Sequence, residues 1–180
     1  MKRLRHIILA CLGVCLLSAF NSLNYLPEHL GKKVEKNVYK LFGKTSSYSL
    51  LPLDDTTRLN HDLFAIHLAD SLTGYAMVSR ALGCRIGGCD KPDPTDTVAF
   101  EEFYYMTSFN PDKTIKQVRI LEYTSNYGYQ IANKGWLKQF TKARAFEVGR
   151  NIDGISGATI SVESITKGVN QQIAIIDRLK

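Results

Sequence analysis

A short run of small and hydroxyl-bearing residues near the C-terminus is the part of the sequence best suited to chemistry. It consists of Asp153-Gly154-Ile155-Ser156-Gly157-Ala158-Thr159-Ile160-Ser161. Ser156, Gly157 and Ala158 have little or no side chain, so a bulky group can approach the backbone there. Thr159 then presents a hydroxyl to the free N–H groups and positive dipole end of the helix predicted to follow. Because helix N-termini bind phosphates, the residues alone predict an anion site, without identifying the anion.

Two other interpretations fit parts of this motif. Thr159 or Ser161 can simply cap the last helix, which is a common role of hydroxyl residues, and the pattern leaves this alternative open. A serine hydrolase is excluded, because the nucleophile pattern G-x-S-x-G requires glycine where this chain has Ala158. In addition, no histidine follows Ser156 to act as the base.

The segment Ser156-Gly157-Ala158-Thr159, preceded by Asp153-Gly154, resembles the flavinylation motif of the FMN-binding domain family. Members include the covalent-FMN subunits of the sodium-pumping NADH:quinone oxidoreductase and of the Rnf-type ferredoxin:NAD oxidoreductase. The resemblance implies that the FMN phosphate is joined to Thr159 by a phosphoester bond. It also implies that a separate flavin transferase makes this bond from FAD, using Mg²⁺. Ser161 is not the acceptor that the resemblance implies.

The resemblance extends upstream and covers the chain from about Leu63 to the C-terminus. The family's strand, glycine turn and tryptophan-bearing helix have similar counterparts, in this order, in Ile120-Leu121-Glu122-Tyr123, Tyr127-Gly128-Tyr129-Gln130-Ile131 and Trp136-Leu137-Lys138-Gln139-Phe140. Many members carry Glu-Thr before the glycine turn, where this chain has Ser125-Asn126. Polar contacts from those two positions are therefore not carried over.

On this basis we expect a cofactor site around the motif and the glycine turn. Backbone N–H groups near Thr159 would hold the phosphate, in a set formed by Ser156, Gly157, Ala158, Ile160 and Ser161. Lys138 is a candidate counter-charge, and Trp136 and Tyr129, the latter beside Gly128, are candidates to stack on or flank the isoalloxazine ring. For each of the three side chains an ordinary structural role is the alternative: a solvated lysine, a core tryptophan and a turn tyrosine.

The N-terminus predicts export from the cytoplasm. Basic residues at positions 2, 3 and 5 precede an apolar run from Ile7 to Phe20. This run is shorter than the ~20 residues of a bilayer span and is typical of a secretory signal. Cleavage, retention as a membrane anchor, and lipidation on Cys11 or Cys15 stay open. Each places the rest of the chain outside the cytoplasm, in the periplasm or at the outer face of the cytoplasmic membrane.

The charge balance argues against nucleic acid as a partner. The net charge is +6, but Lys2, Arg3 and Arg5 belong to the export segment, which leaves 20 basic against 17 acidic residues. No basic stripe is interleaved with stacking aromatic residues, as nucleic-acid binding would require.

Cys84 and Cys89 are the only cysteines outside the export segment. Two glycines between them allow the loop to fold back, and an oxidising compartment permits a disulfide, so we favour a structural disulfide. A redox-active dithiol stays open, although the spacing differs from Cys-x-x-Cys. A zinc site would need two more ligands, and the spacing of His61 and His67 matches no zinc pattern.

Strand patterns dominate the middle of the chain and helix patterns its ends. Leu30, Val34, Val38 and Leu41 recur at helical spacing, as do apolar residues between positions 165 and 176. A short helix is predicted over 136–141, a hairpin loop over 70–74, a turn-rich surface segment over 91–96, and strands over 48–53, 63–69, 74–82, 98–109 and 115–123. The fold class is therefore α+β, an antiparallel sheet with helices packed on it.

The predicted organisation has three parts: a signal peptide or anchor (1–22), an amphipathic helix with a lead-in strand (23–60), and an FMN-binding domain (61–180). The expected function is a single-FMN electron carrier, or a subunit of an oxidoreductase, within a larger membrane-associated redox system. Its expected partners are the flavin transferase, redox proteins of unknown identity, and the membrane if the N-terminal segment is uncleaved. An exported accessory protein of the same fold without flavin is the alternative.

Overall fold

The computed structural model describes residues 27–54, 56–57, 60–85, 88–89 and 99–179. The predicted export segment (1–22) and the turn-rich segment (91–96) lie outside the described residues. Within the described ranges, no helix combines the length and the apolar character that crossing a bilayer requires.

Five strands form one antiparallel sheet whose spatial order follows the chain. Every neighbouring pair is antiparallel. The strands are β1 (Ser46–Leu51), β2 (His61–Leu68), β3 (Ser71–Arg85), β4 (Phe100–Phe109) and β5 (Ile115–Tyr123). Together with the helices packed on this sheet, the meander confirms the predicted α+β class.

Helices cover both faces of the sheet. The α-helices are α1 (Gly31–Phe42), α2 (Lys134–Leu137) and α3 (Thr159–Asp177), and short 3-10 segments occupy Glu28–Leu30, Tyr129–Ala132 and Lys138–Thr141. Helix α3 packs into the larger core cluster and α1 into a second cluster. The strand pattern shows that these two clusters lie on opposite faces.

Strand β3 separates the two clusters. Tyr75 and Met77 belong to the cluster under α3, whereas Ala76 and Val78 belong to the cluster under α1. Successive side chains of a strand point to opposite faces. Strand β3 is therefore buried on both sides, which explains why this part of its sequence is a continuous apolar run.

The predicted amphipathic helix is confirmed as α1. Its buried face includes Val34, Val38 and Phe42, with Leu30 from the preceding turn, and Lys32, Lys36 and Lys40 are exposed. This helix covers the sheet face opposite the motif, so it stabilises the sheet without contributing to the motif's surroundings.

The predicted C-terminal helix is also confirmed, and it begins earlier than its apolar repeat, at Thr159. Ile165, Val169 and Ile176 are fully buried. Gly168 lies on the same side, where a Cβ atom would clash with the hydroxyl of Tyr105. The absence of a side chain at Gly168 therefore lets α3 lie against the end of the Tyr105 side chain.

Several predicted boundaries differ from the structure by a few residues, and two of the differences have a local cause. The helix predicted over 136–141 is instead α2 followed by a 3-10 turn, and it starts earlier because the Asn133 side chain accepts hydrogen bonds from the Gly135 and Trp136 N–H groups. The hairpin loop predicted over 70–74 contains only Ala69 and Asp70, since Ala69 takes a left-handed conformation (φ +52°) that closes the turn within two residues.

Candidate functional site

The turn that precedes α3 is open to solvent. Its backbone closes with a 3.0 Å hydrogen bond from the Ala158 N–H to the Ile155 carbonyl. Gly157 takes the left-handed conformation (φ +74°), and both Ser156 and Gly157 are exposed. A Cβ atom built on Gly157 would have no neighbour within 4 Å. The protein therefore leaves room for a bulky group beside this turn.

Thr159 is the first residue of α3, and it is exposed. The N-cap residue is Ala158, which has no side-chain oxygen, so neither Thr159 nor Ser161 occupies the cap position. The first helical hydrogen bond runs from the Val162 N–H to the Ala158 carbonyl, at 2.9 Å. The N–H groups before Val162 have no acceptor within the helix. Since the first turn also lacks an acidic residue, this end of α3 favours an anion.

The two residues after Thr159 face inward. Ser161 is fully buried, and its Oγ lies 2.8 Å from the Tyr123 hydroxyl and 3.3 Å from the Cys84 Sγ. Ile160 packs against the disulfide. Of these two predicted site residues, only the backbone N–H groups are therefore available to a phosphate beside Thr159.

The predicted disulfide between Cys84 and Cys89 is present, with a Cα–Cα distance of 4.5 Å. Both cysteines are buried. Cys84 belongs to the end of β3, and the contacts of the two cysteines with Ser161 and Ile160 place the disulfide beside the first turn of α3. Its position next to the motif was not predicted.

The glycine turn at Gly128 lies against Cys84, Tyr123 and Ser161. Gly128 is left-handed (φ +79°), and a Cβ atom there would come within 2.5 Å of both the Cys84 Sγ and the Tyr123 hydroxyl oxygen. Tyr127 and Tyr129, on either side, are 46% and 59% exposed. The Tyr129 ring is thus accessible to a ligand, and its contact with a flavin stays a prediction.

Trp136 is buried, and it is linked to the motif through its indole nitrogen. The Nε1–H donates to the Asp153 carbonyl at 2.9 Å, while the Gln139 Oε1 accepts from the Asp153 N–H at 2.9 Å. The Trp136 ring packs edge-on against Phe140, at 5.5 Å between centroids. This placement lets Trp136 hold the start of the motif, and stacking on a flavin stays a prediction.

Lys138 lies at a groove beside β5. It is exposed and lines a groove of about 420 Å³ between β5 and α2, together with the cations Lys116, Arg119 and Lys134. No motif residue lines this groove. The role of Lys138 as a phosphate counter-charge stays a prediction.

His61, considered above as a zinc ligand, contacts a serine. The His61 Nδ1 lies 2.6 Å from the Ser79 Oγ, and burial lowers the pKa of His61. Across the described ranges, no group of three or more His, Cys, Asp or Glu side chains is arranged to hold a metal ion.

Sequence reasoning missed the role of Tyr123. Its hydroxyl donates to the Tyr127 carbonyl at 2.6 Å and also contacts Ser161, which is 38 positions away in the chain. Tyr123 ends β5, and no local pattern distinguishes it from any other tyrosine of a half-buried strand. Only the packing of β5 beside α3 brings these groups together.

Comparison with known proteins assigns the region that contains this site. Residues 101–174 match the family model of the FMN-binding domain, and this range includes the Gly128 turn, Trp136 and Thr159. A search of curated proteins found no match. The open turn, the exposed Thr159 and the uncapped N-terminus of α3 fit a phosphate group, and the match supports a flavin-binding protein. The match therefore supports an FMN-binding domain over residues 101–174 of this chain.

Proposed function

We propose that this protein is an extracytoplasmic electron carrier whose FMN is linked by a phosphoester to Thr159. The observation that carries the proposal is the exposed threonine at the uncapped, acid-free N-terminus of α3, inside an FMN-binding domain. The carrier would relay electrons within a larger membrane-associated redox system. A flavin can accept two electrons together and release them singly, and the protein provides its position and electrostatic environment.

The geometry suits a phosphate ester on Thr159. The phosphodiester formed on the Thr159 Oγ keeps one negative charge, which the first-turn N–H groups and the helix dipole stabilise. In the transfer from FAD, the Thr159 oxygen bonds to the FMN phosphorus, the diphosphate bond breaks and AMP leaves. The hydroxyl proton passes to a base of the flavin transferase. This chain contributes the oxygen and the fixed turn that presents it.

Two features support a location outside the cytoplasm. The basic and apolar N-terminal pattern is typical of export signals. The disulfide between Cys84 and Cys89 is of the kind that persists in oxidising compartments. Covalent attachment is useful there, because a dissociated cofactor would be lost to the surroundings.

Co-expression with a flavin transferase tests the proposal. We expect the denatured protein to fluoresce on a gel and its mass to rise by FMN minus one water. The variant Thr159→Ala should lose both signals completely, whereas Ser156→Ala should keep them, because Ser156 is an exposed hydroxyl residue of the same turn. Colourless wild-type protein of unmodified mass would contradict the proposal and favour the accessory protein without flavin.

Intact mass spectrometry of protein from its native host completes the test. It reports the processing of the N-terminus, the state of the two cysteines and the presence of flavin in one measurement. Thiol chemistry as the main function is disfavoured, since Cys84 is inaccessible to solvent and Cys89 is 6% exposed and thiol exchange requires access to a sulfur.

A further inference from the structure

We infer that Tyr123 and the disulfide between Cys84 and Cys89 are positioning groups for Thr159. They contact the buried side of the first turn of α3, through Ser161 and Ile160. These contacts fix the position of the Thr159 hydroxyl oxygen, which receives the flavin phosphate. This inference rests on the proposed function, and it adds the residues that make the acceptor competent.

The Tyr123 hydroxyl is the centre of the contact. Its single proton is donated to the Tyr127 carbonyl at 2.6 Å. Its oxygen therefore accepts from the Ser161 hydroxyl at 2.8 Å, and the Cys84 N–H approaches the same oxygen at 3.5 Å. One hydroxyl thus joins the glycine turn, the end of β3 and the first turn of α3.

The disulfide forms the other half of this support. A disulfide sulfur has no proton, and the Ser161 proton is used on Tyr123, so the 3.3 Å contact between the Ser161 Oγ and the Cys84 Sγ is a packing contact. Ile160 also packs on Cys84 and Cys89. Both residues that follow Thr159 therefore rest on the disulfide, while Thr159 itself is exposed.

Support of this kind matters for a group-transfer reaction. An acceptor oxygen reacts fast only when it is held close to in-line geometry, and small displacements lower the rate strongly. A reductant that breaks the S–S bond delivers two electrons and two protons and leaves two thiols, which cannot stay at bonding distance. The support for Ser161 and Ile160 then loosens, so flavin loading should be fastest in the oxidised protein.

The first experiment compares two tyrosine variants. Tyr123→Phe removes the central hydroxyl and keeps the ring, which packs on Phe103 at 5.3 Å between centroids. Tyr39→Phe is the matched control, because it removes a hydroxyl with one hydrogen bond on the opposite face of the sheet. In flavin-free protein, amide exchange of residues 162–165, the first hydrogen-bonded amides of α3, should rise about fivefold in Tyr123→Phe, in line with the loss of one hydrogen bond. Exchange of residues 169–173 should stay unchanged.

Flavin loading is measured on the same proteins, with FAD, Mg²⁺ and a flavin transferase. The initial rate should fall roughly tenfold in Tyr123→Phe, as expected for a displaced acceptor, and should be unchanged in Tyr39→Phe. Equal rates and equal exchange in the two variants would overturn the inference.

The second experiment addresses the disulfide in folded wild-type protein. Treatment with a phosphine reductant should slow loading, and reoxidation should restore the original rate. A Cys84→Ser, Cys89→Ser double variant should load slowly with or without the reductant. Equal loading rates for the oxidised and the reduced protein would overturn the role of the disulfide. If wild-type protein never loads, the proposed function fails, whereas equal loading of wild type and variants removes only the positioning role.

Discussion

Two glycine turns flank the first turn of α3, and they differ in what surrounds them. Gly128 and Gly157 have nearly the same left-handed backbone, with φ of +79° and +74°. A Cβ atom on Gly128 would meet the Cys84 Sγ and the Tyr123 hydroxyl at 2.5 Å, whereas one on Gly157 would meet nothing within 4 Å. The same backbone requirement therefore coexists with a filled space in one turn and an open space in the other.

The two turns therefore differ in role: one supports helix α3, and the other leaves space beside Thr159. The Gly128 turn packs against Cys84 and Tyr123, which hold α3. Its glycine is needed both for the left-handed backbone and because a side chain would not fit. The Gly157 turn borders the exposed Thr159. Within the protein, its glycine is needed only for the left-handed backbone conformation, because no neighbouring atom restricts the space. In the proposed function, the room at Gly157 belongs to the flavin phosphate and ribityl chain.

The largest effect is expected for Gly128→Ala. The added methyl group meets the disulfide and the tyrosine hydroxyl, and alanine is also unfavourable in a left-handed conformation. We expect a loss of about 3 kcal/mol in the free energy of unfolding, from overpacking and backbone strain together. Urea denaturation measures this loss, and a value near zero would show that Cys84 and Tyr123 move easily to make room for the methyl group.

Gly168→Ala isolates crowding from backbone strain. Gly168 lies within α3, where its backbone is helical, but its Cβ atom would clash with the buried Tyr105 hydroxyl. Overpacking should outweigh the better helix propensity of alanine and leave a net loss of about 1.5 kcal/mol. A gain in stability would show that the helix and the Tyr105 side chain can move apart.

Gly157→Ala isolates backbone strain from crowding. We expect a loss of about 1 kcal/mol, the typical penalty for alanine in the left-handed region. Gly154→Ala is the matched control, since its Cβ atom also meets nothing within 4 Å and its φ lies outside the left-handed range; its stability should change by less than about 0.5 kcal/mol. Flavin loading should fall in Gly157→Ala and persist in Gly154→Ala.

The smallest effect concerns the far part of α3, which is also held by a buried polar contact. The Gln172 Nε2 donates to the Ser79 Oγ at 2.5 Å, and the same oxygen contacts His61. Burial lowers the pKa of His61. The unfolded chain therefore binds more protons at mildly acidic pH, and stability falls as pH drops below the unfolded value of ~6.5.

Between pH 7.5 and 6.0 this loss should be under about 1 kcal/mol, because only half a pH unit lies below the unfolded pKa. Urea denaturation of wild type and His61→Gln measures it, and the variant should show a flatter pH dependence. A carboxyl such as Glu122, whose pKa is lowered chiefly by the hydrogen bond from Lys33, titrates at lower pH and does not obscure this range.

Much of the fold could be predicted because its signals are local. The apolar spacing of α1 and of α3 and the bounds of β5 follow from periodicity within a few residues. The hairpin between β2 and β3 was placed too late, because Ala69, rather than a glycine, takes the left-handed position. That choice depends on how the two strands pair and is invisible in a local window.

The site was predictable in part. The motif, the family and the disulfide pair were available from the sequence, and so was the exposure of Thr159, since Ser161, Ile165 and Gly168 share the inward face of α3 at helical spacing. The placement of Lys138 in the groove between β5 and α2 was not available. It depends on how the segment around α2 lies against β5.

By itself, the sequence determined the elements, the fold class and the residue proposed to carry the flavin, because periodicity, turn chemistry and a short motif act over a few neighbouring positions. Only the tertiary structure decided which groups surround that residue. Tyr123, Cys84 and Gly128 meet beneath Ser161 although they come from separate segments of the chain. Contacts of this kind arise when strands and helix pack together, and no local pattern encodes them.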